Sequence, residues 1–128
     1  MKGILDTHSF LWFVTDDPQL SSTATAFIAD PNNSVLVSPA SYSEIAIKVS
    51  MGKYPMTVPL DRFFSEAIEG NGFVILPIEI RHAHILASLP MHHKDPFDRM
   101  IISQTIAERI SVVSIDRAFD AYGVPRSW

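Results

Sequence analysis

No cysteine occurs in the chain. A disulfide framework and thiolate metal sites are therefore excluded, and a reducing, cytoplasmic setting is expected. Long apolar runs are also missing. None approaches the roughly 18–20 residues of a membrane span, and Asp6 and His8 interrupt the apolar N-terminus "MKGILDTHSFLWFV" too early for a signal peptide. Positive charge is scarce. The net charge of −4 is not the basic footprint of an autonomous nucleic-acid binder. A polyanionic substrate would need a metal, a local basic patch or a partner to neutralise it. No repeat, low-complexity stretch or linker divides the sequence. At 128 residues and 47% hydrophobic, residues 1–128 are expected to form a single domain with a sizeable core.

The apolar pattern switches repeatedly between short runs and helical spacing. "KGIL" (2–5), "SVLVS" (34–38), "FVILPI" (73–78) and "SVVSI" (111–115) read as strands. "THSFLWFV" follows the first strand at once, with Thr7 available as an N-cap, and "SSTATAFIAD" has a serine cap. "PASYSEIAIKVSMGK" has proline near its start and Gly52 after its end. "LDRFFSEAIEGNG", "EIRHAHILASL" and "FDRMIISQTIAERI" complete the helices, the last with Phe97, Ile101 and Ile102 as expected core. "YPMTVP" and "PMHHKDP" read as loops. Alternating strands and helices predict an α/β fold, with a parallel sheet and crossover helices.

Acids fall at informative places in this pattern. Asp6 follows the first strand and Asp116 the last, at the carboxyl edge where open α/β sheets bind ligands. Asp98 heads the helix "FDRMIISQT", and Glu44 lies one turn inside the helix after "SVLVS". Each alone is accounted for as a cap or a solvated partner of the helix dipole. Together they suggest convergence. Two carboxylates about 4 Å apart repel by about 4 kcal/mol at an effective dielectric near 20. Few lysines or arginines lie near these acids, Lys48, Lys94, Arg99 and Arg117 among them, so a hard divalent ion, Mg2+ or Mn2+, is the natural counter-charge. Such an ion suits phosphodiester hydrolysis.

Lys48 stands four residues after Glu44, as a surface ion pair or as a cation for substrate phosphate. Thr7 and Ser114 flank two of the acids, to orient a carboxylate or simply to cap a turn. His82 and His84 point to different faces of one helix, and His92 and His93 are adjacent in a loop; neither spacing matches a zinc site. His8 reads as a helix-surface histidine.

"ILDTHSFLWFV", "SPASYSEIAIKVSMGK", "HHKDPFDRMIISQT" and "VVSIDRAFDAYGV" resemble the successive motifs of the PIN domain. More narrowly, they resemble the VapC-like toxins of bacterial type II toxin–antitoxin pairs. The likeness runs from residue 1 to about residue 124. It implies a PIN-like three-layer fold, a central parallel sheet with helices on both faces. It also implies a Mg2+- or Mn2+-dependent endoribonuclease whose four acids are Asp6, Glu44, Asp98 and Asp116. Asp95 belongs to the "HKDPFDR" signature, to cap the helix, fix Arg99 or join the outer shell of the metal. RNA as substrate, a cognate antitoxin, and a homodimer formed through helices such as "SFLWFV" are implied too. The alternatives are a degenerate PIN domain that binds RNA or protein without catalysis, or another metal-dependent phosphoesterase. A haloacid-dehalogenase-like site needs an aspartate where "DTH" has His8, and a receiver domain needs paired acids after the first strand.

Overall fold

In a computed structural model that describes residues 1–128, five parallel strands stand in the order β3-β2-β1-β4-β5. The strands are β1 (Lys2–Leu5), β2 (Ser34–Val37), β3 (Val74–Ile75), β4 (Ser111–Val113) and β5 (Arg126–Ser127). The helices are α1 (Thr7–Val14), α2 (Ser22–Ala29), α3 (Pro39–Ser50), α4 (Leu60–Glu69), α5 (Ile80–Ala87) and α6 (Pro96–Glu108), with a 3₁₀ helix at Arg117–Tyr122. The α/β reading and its parallel sheet hold. Two strands differ from expectation. β3 is far shorter than the apolar run 73–78, because Pro77 cannot donate to a ladder and the chain leaves the edge after Ile75. β5 carries no apolar alternation at all, and its backbone alone adds it beside β4.

Side chains along the central strands alternate between two cores. Leu5, Val35, Val37 and Val113 face one side, where Phe10, Ala24, Ile28, Ile45, Ala67 and Ile68 cover them. Ile4, Leu36 and Val112 face the other, under Leu89, Ile101, Ile102 and Phe119. Burial on both faces explains why β1, β2 and β4 read as continuous apolar runs. Gly3 has a packing reason: a Cβ there would stand 2.7 Å from the Phe27 ring.

The strand order places the functional edge. The chain moves outward from β1 through β2 to β3, then returns to pair β4 with the other side of β1. Right-handed crossovers in opposite directions put the connecting helices on opposite faces. The connections therefore diverge between β1 and β4, and a crevice opens past the carboxyl ends of those two strands. Phe10 is fully buried, and Leu11, Phe13 and Val14 pack against the first core. "SFLWFV" thus serves mainly the interior, which removes Phe10 from any surface between copies. No helix is long and apolar enough to cross a membrane.

Candidate active site

Asp6 leaves β1 and caps α1 with no residue between them. Asp6 Oδ1 accepts the Ser9 N–H at 2.8 Å, so Asp6 is the cap where Thr7 was expected. Thr7 is already helical, and its hydroxyl donates to Ser41 Oγ at 3.2 Å. The other carboxylate oxygen, Oδ2, accepts the Ser114 hydroxyl at 2.5 Å. Ser114 stands just past β4, so this bond closes the crevice between the two strands. The Ser9 hydroxyl adds a second tie, donating to Val113 O at 2.8 Å. Asp6 is almost wholly buried. Burial raises its pKa, and the Ser114 and Ser9 hydrogen bonds oppose that rise.

Asp98 enters from the opposite face. Pro96 opens α6 and Asp95 caps it, its Oδ1 accepting the N–H groups of Phe97 at 2.9 Å and Asp98 at 3.0 Å. Capping is therefore what Asp95 does among the roles considered for it. It does not hold the Arg99 side chain, which donates to backbone carbonyls instead: Pro90 O at 2.9 Å and Leu89 O at 3.0 Å. Asp116 caps the 3₁₀ helix, its Oδ1 accepting the Ala118 N–H at 2.9 Å. Its N–H donates to Ser114 Oγ at 3.0 Å, so one serine touches both Asp6 and Asp116.

His93, which the sequence did not mark, stands between two acids. Its Nε2 lies 3.1 Å from Asp98 Oδ2 and 2.9 Å from Asp116 Oδ2. The ligand atoms of His93, Asp98 and Asp116 fall within 4.8 Å of one another. Spacing along the chain holds no signal for this, since His93 and Asp116 are 23 residues apart.

Glu44 is buried but not bare: Lys48 Nζ lies 2.8 Å from its Oε2. Both readings of Lys48 are compatible with this contact. Lys48 in turn sits 5.6 Å from the centre of the Tyr54 ring. Glu44 is thus the one proposed acid already matched by a lysine.

The field at Asp98 reports how the acids combine. Its pKa rises from 3.8 to about 7: burial is the largest cause, the charges of Asp95 and Asp6 add to it, His93 opposes it, and Glu44 adds again. A carboxylate surrounded by other carboxylates in a half-buried cleft is a site that attracts a cation. The donors are hard oxygens, with no thiolate present. The carboxylate oxygens of Asp98 and Asp116 in this cluster suit a hard divalent cation, and Asp6 stands outside it, tied to Asp116 through Ser114.

A sequence profile of the PIN domain matches residues 3–125. No curated protein sequence matches the chain. Among solved structures, the fold is similar to VapBC2 from Rickettsia felis bound to a DNA fragment from their promoter. That likeness has a TM-score of 0.68 and 18% identity, over 98% of this chain and 97% of the other. FitAcB from Neisseria gonorrhoeae matches with a TM-score of 0.65 and 17% identity, over 97% and 95%. VapBC-1 from nontypeable Haemophilus influenzae matches with a TM-score of 0.62 and 14% identity, over 98% and 96%. At such identities the likeness is one of fold.

Proposed function

The chain belongs to the PIN domain family, and from that premise we propose that it is a Mg2+- or Mn2+-dependent endoribonuclease, the toxin of a toxin–antitoxin pair. The observation that carries the reading is the meeting of acids from separate segments at one crevice: Asp98 and Asp116 stand on either side of His93, and Ser114 joins Asp6 to Asp116. Burial first, and then the charges of Asp95, Asp6 and Glu44, raise the pKa of Asp98.

Asp6, Glu44, Asp98 and Asp116 are the proposed metal-holding acids, and Lys48, paired with the buried Glu44, stands at the rim. When bound, a divalent cation activates a water and stabilises the leaving oxygen of a phosphodiester. The residues of the chain position that chemistry. Ser114 and Ser9 fix both oxygens of Asp6, so its carboxylate is oriented before any ligand arrives. Lys48 is available to contact a substrate phosphate at the rim, and the exposed Lys94 and Arg117 supply further positive charge near Asp98 and Asp116.

The likeness to VapBC2, FitAcB and VapBC-1 supports the toxin assignment and a cognate antitoxin as partner. An apolar groove of about 360 Å3 supports it too. Leu11, Ile45, Tyr54, Met56, Val58 and Phe63 line it, and Tyr54 connects it to Lys48. A segment of the antitoxin seated there would reach Lys48 and, through it, Glu44. We also propose a homodimer of single-domain chains in the cytoplasm.

The test is cleavage of RNA by the purified protein with Mg2+, with Mn2+ and with a chelator, beside the Asp98→Asn variant. Cleavage should require the cation and vanish in the folded variant. Turnover by Asp98→Asn at the wild-type rate would sink the assignment.

A further inference from the structure

His93 lies between α5 and α6, and the polar contacts of its ring define its chemistry. Nδ1 lies 3.1 Å from the backbone N–H of Asp95. A backbone N–H only donates, so Nδ1 must present its lone pair. The neutral ring then carries its one proton on Nε2, which donates to Asp116 Oδ2 at 2.9 Å, while Asp98 Oδ2 stands 3.1 Å from the same nitrogen. For Nε2 to ligate a metal, the proton would have to move to Nδ1, where it would face the Asp95 N–H, donor against donor.

The surroundings hold the ring in this pose. Tyr122 Oη accepts the N–H of His93 at 2.8 Å and of His92 at 3.0 Å, and donates to Pro90 O at 2.7 Å. Arg99 grips the same segment through Pro90 O and Leu89 O. The ring meets the buried Phe119 edge-on, with centroids 6.0 Å apart. A segment fastened at so many backbone atoms is built to place one side chain.

We propose that His93 is a positioning residue of the acidic site: its Nε2–H donates to Asp116 with Asp98 in close contact beside it, which sets the spacing of the two acids for a divalent cation, while its Nδ1 stays committed to Asp95, so that it acts from outside the metal's ligand set. The inference rests on the cation-binding part of the proposed function. The ring also holds two acids together that would otherwise repel. Partners of this outer kind change metal affinity by roughly 10–100-fold when removed.

Two variants separate the donor from the ring. His93→Phe keeps a ring against Phe119 and has no donor. His93→Gln brings an amide N–H close to the place of Nε2. Mn2+ affinity is measured by calorimetry without RNA, after thermal unfolding in chelator confirms that each variant is folded. His93→Phe should lose about 10–100-fold in affinity, and His93→Gln should recover most of it. Independently of any variant, 15N NMR of the wild-type imidazole should report the Nε2–H tautomer without metal and in saturating Mg2+. Wild-type affinity in a folded His93→Phe, or a switch to the Nδ1–H tautomer on Mg2+ binding, would overturn the proposal while leaving the nuclease reading intact. A wild-type protein that binds neither Mg2+ nor Mn2+ would instead overturn the cation-dependent reading, and this inference with it.

Discussion

Replacing Asp98 by asparagine should stabilise the metal-free protein at pH 8, by an amount that shrinks and then reverses as pH falls. In the unfolded chain the carboxyl ionises with a pKa near 3.8; in the fold it does so near 7. Between those values the native state holds a proton that the unfolded state has released, so wild-type stability falls as pH rises through this window and levels off above it. A shift of this size corresponds to roughly 4 kcal/mol. Asparagine avoids the ionisation, but its amide must still be buried beside His93, at a cost of roughly 1–3 kcal/mol. The expected net change is therefore a gain of about 2 kcal/mol at pH 8 and a loss of about 1–2 kcal/mol at pH 4. Urea unfolding of both proteins in chelator, at several pH values, reads this directly. Adding Mn2+ should reverse the order, because about 100-fold excess over the dissociation constant stabilises the wild type by about 2.7 kcal/mol and the variant by less. An Asp98→Asn protein no more stable than wild type at pH 8 in chelator would refute the account of Asp98 as a carboxylate held against its own ionisation.

Three further outcomes test separate parts of the structure. Lys48→Met should cost about 1–3 kcal/mol in a urea titration, because it strands the buried Glu44; pairing it with Glu44→Gln should restore most of the loss, and failure of that rescue would mean the ion pair is not the cause. Gly3→Ala should cost about 1–3 kcal/mol, since its Cβ would meet the Phe27 ring; an unchanged melting temperature would show that the ring moves aside freely. Asp116→Asn should weaken Mn2+ binding less than Asp98→Asn does, as the Asp116 side chain is 39% exposed against 21% for Asp98; equal losses would place both acids on the same footing.

What the sequence shows of this fold depends on what each element must bury. β1, β2 and β4 are covered on both faces, so their residues had to be apolar and the strands were legible. β3 is an edge. Val74 and Ile75 are 54% and 43% exposed, and hydrophobicity there says little about where pairing stops. β5 is held by backbone bonds, such as Ser114 N–H to Ser127 O at 3.3 Å, and these need no particular side chain. Its pairing was invisible for that reason. His93 was hidden for a related one. The acids stand at element boundaries, which local patterns mark, whereas the place of His93 depends on how the segment before α6 meets the 3₁₀ helix beyond β4.

For Asp6 and Asp116, capping a helix and facing the crevice are compatible. Asp6 caps α1 with Oδ1 and turns Oδ2 to Ser114. Asp116 caps the 3₁₀ helix with Oδ1 and turns Oδ2 to His93. A carboxylate has two oxygens and about four lone-pair directions, so one oxygen can satisfy a helix start while the other is aimed into a crevice. The cap adds more than about 1 kcal/mol of helix stability: it removes the rotational freedom that a metal would otherwise have to freeze. Asp95 separates the two jobs. Its Oδ1 takes both the Phe97 and Asp98 N–H groups, and its own backbone N–H orients His93. Asp98, one turn into α6, is thereby freed from capping, and its carboxylate faces His93 and the field of Asp6. The pair "DPFD" thus divides its labour, the first aspartate building the helix start and the second projecting from it. On this account Asp95→Ser, which keeps a cap, should preserve metal affinity far better than Asp95→Ala. Indistinguishable Mn2+ affinities for the two variants would show that the carboxylate of Asp95 matters for some reason other than the start of the helix.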